Sequence, residues 1–419
     1  MNETKNKKLK IIILVIIIII AIVGLSVCFF IAYRNLKEDI NQDTEVGINN
    51  NSSSSNKVSD SKNISITSGG NYNLSGEYES ITISTNEEVI LNLNGVQIEN
   101  SNGPAINIEK ANKVTIVLSG ENNITATTTE DLDGAIYSKA DLVFEGTGSL
   151  ELKSNYDGIV SKDTLVIKNG TYTISSDDDG IRGKDSVEIE DGTYTINAGG
   201  DGIKSSNDED TTLGYVTITG GTYNITAKSD GIQGITKVTI SGGTFNISSA
   251  EGIEATYVKI DNGTINIEAT DDGINASNKS NITTPTVEIN GGNITIKMGQ
   301  GDTDGIDSNG NIYINGGTID ITGNSPFDYD GTAELNGGTI IVNGEQTNTI
   351  TNQMMGGGMN RGPQGGMQNG NEQPMNTNGE MQNNGEQPMS PPNGESPNGS
   401  GRQMNPNGEM QNGGRRVRQ

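Results

Sequence analysis

One recurring tripeptide, Asp-Gly-Ile, constrains this chain more than any other feature. It stands at Asp157-Gly158-Ile159, Asp179-Gly180-Ile181, Asp201-Gly202-Ile203, Asp230-Gly231-Ile232, Asp272-Gly273-Ile274 and Asp304-Gly305-Ile306, with Glu251-Gly252-Ile253 as a variant and Asp133-Gly134-Ala135 as a degenerate first copy. The steps are 24, 22, 22, 29, 21, 21 and 32 residues, and the two long ones carry polar inserts near 206–212 and 278–284. Between copies lies a second mark, such as Gly170-Thr171-Tyr172-Thr173-Ile174 or Gly243-Thr244-Phe245-Asn246-Ile247. Just before it comes a third short apolar alternation, such as Val187-Glu188-Ile189. Each unit therefore holds three short segments alternating apolar with polar, separated by Gly, Asn and Asp turns. Period-2 alternation marks half-buried strands. Repeats of this length stack on their neighbours to bury a continuous core. The expected fold is all-β, a parallel β-helix with three short strands per turn over 63–343. At about 4.8 Å per turn, roughly eleven turns give a rod on the order of 50 Å long.

Stacking turns every repeat position into a column. Tyr172, Tyr194, Tyr223 and Phe245 each precede an Ile by two positions, and Ile265, Ile294 and Ile319 take their place later. A column that interchanges Tyr, Phe and Ile reads as core. The acids of the tripeptide form another: Asp157, Asp179, Asp201, Asp230, Glu251, Asp272 and Asp304. A buried carboxylate column is prohibitive without compensation. Each acid is therefore expected at a corner, with its glycine allowing the bend. There it caps backbone N–H groups of its own turn, or shares calcium ions with neighbours. Capping accounts for one acid per turn but not for Asp178, Asp271, Asp302 and Asp307 beside it. That density points to Ca2+, with Asp157, Asp178, Asp179, Asp201, Asp230, Glu251, Asp271, Asp272, Asp302, Asp304 and Asp307 as candidate ligands. Three positions after each acid stand Arg182, Lys204, Gln233, Glu254, Asn275 and Asp307. This column is expected to face solvent, with Arg182, Lys204, Gln233, Glu254 and Asn275 as candidate contacts to an extended polymer.

Charge narrows the partners. The net charge is −26. Residues 1–37 carry +5 and 344–419 carry −1, which leaves −30 on the middle. Such a surface repels nucleic acid and attracts divalent cations. The chain has no histidine and one cysteine, Cys28, which excludes imidazole chemistry, His-ligated zinc and an internal disulfide. Residues 11–32 form a nearly unbroken apolar run behind Lys5, Lys7, Lys8 and Lys10. It is long enough to span a bilayer, with the basic segment 1–10 in the cytoplasm and the rest outside as a single-pass cell-membrane protein. A cleaved signal peptide, or a lipoprotein through Leu25-Ser26-Val27-Cys28, gives the same sidedness. Residues 33–62 read as a flexible stalk, and 344–419, rich in Gly, Asn, Gln, Met and Pro, as a disordered tail.

The stretch from Asp304 to Thr318, followed by Phe327-Asp328-Tyr329-Asp330-Gly331, resembles the closing segment of carbohydrate-binding domains of the clostridial cellulosome-associated type. The repeated Asp-Gly-Ile units and the Met/Gly-rich tail match as well. The resemblance covers roughly residues 63–343 and implies a right-handed parallel β-helix and bound calcium. It also implies binding of cellulose and of acidic sugars such as polygalacturonate, and a likeness to calcium-dependent β-helix pectate lyases. The membrane segment departs from it. The expected function is non-catalytic, calcium-dependent polysaccharide binding by a monomer at the cell surface. Two alternatives stand beside it: a calcium-dependent lyase, for which Lys204 is the candidate base, and a structural stalk or adhesin.

Overall fold

The computed structural model describes residues 62–299 and 303–352. The basic segment, the apolar run at 11–32, nearly all of the stalk, Asp302 and the tail after 352 lie outside the described residues. Among the described residues no helix is long and apolar enough to cross a membrane.

The chain winds through three columns of strands in a fixed order. One circuit runs Asp157–Ser161, then Thr164–Ile167, then Thr171–Ser176, and re-enters the first column at Ile181–Gly183. The first column is a 12-stranded sheet, one rung more than the expected eleven. Every strand in it pairs in parallel with its counterpart one circuit on, as Ile181 does with Ile203 and Ile203 with Ile232. The second and third columns run the same way and are joined by the long strand Glu88–Asn100, which pairs into both. This is the expected all-β coil of three short parallel strands per turn. It continues past residue 343: Glu345–Thr347 folds back antiparallel on Thr339–Val342 and closes the last rung.

Alternation of side chains fills the coil. In the third column the burial pattern repeats as exposed–buried through Thr171–Ser176, Thr193–Ala198, Thr222–Ala227 and Thr244–Ser249. Tyr172, Tyr194, Tyr223 and Phe245 are fully buried and stacked, with centroids 5.1, 4.7 and 4.5 Å apart and planes within 4° of parallel. The aromatic column is core, as its exchange with Ile indicated. Tyrosine is tolerated there because each phenol donates to a turn carbonyl three residues back: Asn169 at 2.9 Å, Asp191 at 2.8 Å and Gly220 at 2.7 Å. Phe245 has no hydroxyl to satisfy.

The glycine of Asp-Gly-Ile is needed for a reason other than the one expected. It does not adopt a left-handed backbone. A Cβ at Gly158, Gly180, Gly202 or Gly231 would instead lie 2.5–2.6 Å from the carbonyl oxygen of the next circuit's glycine. The glycine column is a line of backbone-to-backbone approach. The bend belongs to the other glycine column, where Gly170, Gly192, Gly221 and Gly243 have positive φ at the entry to the third strand.

Candidate carboxylate column

The acids of the repeat line one margin of the first sheet and are more deeply buried than a corner position implied. Asp157 is 1% exposed and Asp201 2%; Asp179 and Asp230 are also buried, and Glu251, Asp272 and Asp304 are half-buried. Compensation comes from the circuit above. One oxygen of each acid accepts the backbone N–H of the next acid in the column: Asp179 to Asp157 at 2.9 Å, Asp201 to Asp179 at 2.8 Å, Asp230 to Asp201 at 2.8 Å and Asp304 to Asp272 at 3.1 Å. The capping is between turns, not within one as expected. It leaves the second oxygen of each carboxylate for other work.

The column three residues on does not face open solvent; this expectation is corrected. Gln233, Glu254 and Asn275 are buried, and Arg182, Lys204 and Asp307 half-buried. They stand on the outward side of the sheet, as parity requires, but fold back onto the acids. Arg182 donates to Asp157 from Nε at 2.7 Å, pairs with Asp133 through Nη2, and approaches Asp179 at 3.6 Å. Lys204 sits 2.6 Å from Asp201 and 3.5 Å from Asp179. Gln233 donates to Asp230 and to Glu254, the latter at 3.2 Å. Asn275 donates to Glu251 at 3.2 Å and Asp272 at 3.3 Å.

Two groups of oxygens come close enough to share a cation, each within 4.8 Å: Asp157, Asp178 and Asp179, and Asp230, Glu251 and Glu254. Sequence reasoning placed Glu254 among the polymer contacts; the fold brings it into the second acid group. Its signal was the i, i+3 spacing from Glu251 in a column whose neighbouring rung carries Asp230. Asp271 is exposed at the edge of the column. Asp307 lies one rung above Asn275 and opposite Asp328. Asp133 partners Arg182 and Lys162, a role that its weak copy of the tripeptide did not reveal.

Electrostatics separate the two groups. Burial pushes Asp157 up to about 7 although Arg182 pulls it down. Glu251 is pushed up to about 8 by burial, then by Glu254, Asp230 and Asp272, with no cation beside it. Burial, then Asp201 and Glu254, hold Asp230 well above the carboxylate range. Asp272 and Asp307 are pushed up to about 7, mainly by burial. The basic side chain that reaches the second group is Lys279 of the polar insert, 2.5 Å from Glu254. Beside it the Asn275 side-chain oxygen, on a residue 8% exposed, is buried without a hydrogen-bond donor. An all-oxygen set with repelling carboxylates and an undonated amide oxygen is the donor chemistry of a hard divalent cation.

Lys204, the candidate base, is committed elsewhere. Burial disfavours its charge, but Asp179 and Asp201 outweigh that and raise the ammonium above its ordinary value. A base must shed its proton to act, and this setting holds the proton on.

A family model described as "Carbohydrate-binding domain-containing protein" matches residues 60–305 and 250–370. Among solved structures, one described as the polysaccharide lyase-like protein from C. thermocellum, a gadolinium derivative, aligns at 33% identity and a TM-score of 0.45, covering 53% of this chain and 93% of that one. A search of curated protein sequences finds no match.

Proposed function

Since the chain belongs to the carbohydrate-binding domain-containing family, we propose that it is a non-catalytic module that holds acidic polysaccharide through calcium along its carboxylate column. The observation that carries this is the unneutralised group Asp230, Glu251 and Glu254 with the Asn275 oxygen beside it. These residues, joined by Asp272 and Asp307 from the next rungs, are the ones that would hold the ion. Bound there, calcium supplies positive charge that a uronate carboxylate can share. A column dense in carboxylates otherwise repels a polyanion. Gln233 and Asn275 fix the carboxylates by donating to them. Arg182 and Lys204 do the same in the preceding rungs, so their role is to neutralise acids and not to touch the polymer first. With the apolar run at 11–32 as a membrane anchor, the rod displays this column outside the cell as a monomer.

The bound Lys204 ammonium weighs against the lyase reading. The test is retention on immobilised polygalacturonate in calcium and in EDTA, with unsaturated-product absorbance followed in the same tubes. Retention in calcium alone, without absorbance, is the expected result. Rising absorbance makes the protein a lyase. No retention in either buffer removes acidic-glycan binding and leaves the stalk or adhesin reading.

A further inference from the structure

The outward face of the second column carries aromatic side chains that the core does not use. Tyr215, Lys237 and Tyr257 occupy successive rungs at one register position, in the strands Tyr215–Ile218, Lys237–Ile240 and Tyr257–Ile260. Two rungs beyond Tyr257, and two residues along the strand, stands Tyr313, opposite Glu288. All four are half-buried on a face whose alternate residues point into the core. The sequence marks them weakly, because they interrupt a column otherwise filled by Thr, Ser and Asn.

These rings are held in place. The Tyr215 phenol donates to Glu188 at 2.8 Å, and the Tyr257 phenol donates to Glu288. Lys237 lies 5.4 Å from the centre of the Tyr257 ring and, among the described residues, makes no ion pair. Aromatic surface fixed on a rigid sheet binds at little cost in ordering. Two rungs separate Tyr215 from Tyr257 along the rod, and two more separate Tyr257 from Tyr313, about 10 Å each. That step is close to the length of two pyranose units in a β-1,4-linked chain. Charge selects the ligand. On a protein of net −26, this face sets carboxylates that already accept phenol protons beside a lysine without an ion pair. It is close to balanced, so it suits a neutral, hydroxyl-rich chain better than a polyanion.

We propose that this face is a second glycan site, which takes a neutral β-linked glucan along the rod axis, with Tyr215, Tyr257 and Tyr313 each under alternate sugar rings and Lys237 donating to hydroxyls between the first two. It rests on the carbohydrate-binding reading but not on its calcium arm.

The test is calorimetric titration of the full-length protein in EDTA with cellohexaose and cellobiose. Cellohexaose is expected to bind at least about tenfold more tightly than cellobiose, because only the longer chain reaches two platforms. The double variant Tyr215→Ala/Tyr257→Ala, with its melting temperature checked against the parent, is expected to lose about tenfold or more. Tyr215→Phe/Tyr257→Phe, which keeps the rings, is expected to retain binding. Equal affinity in a folded double alanine variant overturns the proposal. So does absence of cellohexaose binding to the parent; calcium-dependent retention on polygalacturonate would then leave the carboxylate-column reading standing. If the double variant does not fold, Tyr313→Ala carries the test, and unchanged cellohexaose affinity overturns the site.

Discussion

The carboxylate column is one structural feature with two chemistries. From Asp133 to Asp201 the acids are neutralised by the protein itself, through Arg182 and Lys204. From Asp230 to Asp307 the same positions are flanked by Gln233, Glu254, Asn275 and Asp307, which bring hydrogen bonds or more negative charge. The backbone is the same in both stretches: parallel register, glycine approach, and an N–H from the circuit above on one carboxylate oxygen. The difference lies in one residue per turn, three positions after the acid. That residue decides whether a buried acid is a closed internal ion pair or an open oxygen ligand. Each prediction below tests whether the two stretches differ as described.

The largest effect is expected at Arg182. It is 16% exposed in its side chain and pairs with Asp157, which is 2% exposed there. Breaking a buried pair by removing one partner strands the other charge, and Arg182→Ala should cost about 3–5 kcal/mol. Chemical denaturation reads this directly. Arg182→Ala/Asp157→Asn should recover part of the loss, and calcium should stabilise Arg182→Ala more than it does the parent, because the variant turns the first stretch into a copy of the second. No recovery in the double variant would mean that Arg182 acts through packing.

Acidity gives the next effect. Glu251 at about 8 and Asp272 and Asp307 at about 7 lie above their unfolded values, so the folded state binds more protons than the unfolded chain between those limits. Stability from this source is full at low pH and is lost as pH rises through the folded values. In EDTA the melting temperature should therefore fall from about pH 5 to pH 8, since reference carboxylates titrate near pH 4. Saturating calcium should flatten the fall, because it binds the deprotonated acids. A melting temperature that rises over this range in EDTA would show that the column is already neutralised.

Much of this fold was legible because stacked repeats convert sequence spacing into space. The Tyr172–Phe245 ladder could be placed in the core from its exchange with Ile, and the turns could be counted to within one. What parity could not supply was depth. An outward position is not an exposed one when its neighbours stand one strand spacing away and its side chain is long enough to reach back. Arg182 and Lys204 lie down on Asp157 and Asp201, and Gln233 on Asp230, so a column assigned to polymer contact is part of the acid network. The same limit hid Glu254, whose partners Asp230 and Gln233 lie a full circuit away. The glycine of the tripeptide was read as a bend because glycine often is one; only the carbonyl of the next circuit reveals the steric reason.

Calcium itself separates the stretches at intermediate size. A ligand at one hundred times its dissociation constant stabilises by about 2.7 kcal/mol. The melting shift on adding calcium should disappear in Asp230→Asn/Glu251→Gln. It should persist in Asp178→Asn, which alters an exposed acid of the first group while leaving Arg182 and Lys204 in place. Loss of the shift in Asp178→Asn alone would move the ion to the first stretch and invert the comparison.

The smallest effect is expected from the insert at 278–284, which the repeat spacing marked only as an interruption. Lys279 reaches back 2.5 Å from Glu254 and is 24% exposed in its side chain, so it is the one internal cation competing with calcium for the second group among the described residues. Part of its attraction is screened by solvent, and ion pairs at this level of exposure contribute about 1 kcal/mol or less. Lys279→Ala should therefore tighten calcium binding by a few fold at most and leave the fold intact. Titration of the variant with calcium against the parent checks this. Tighter binding would mean that the insert sets the affinity of the open stretch from outside the repeat. Weaker binding would mean that Lys279 holds Glu254 in position, and that the second stretch, like the first, depends on a basic side chain to assemble its acids.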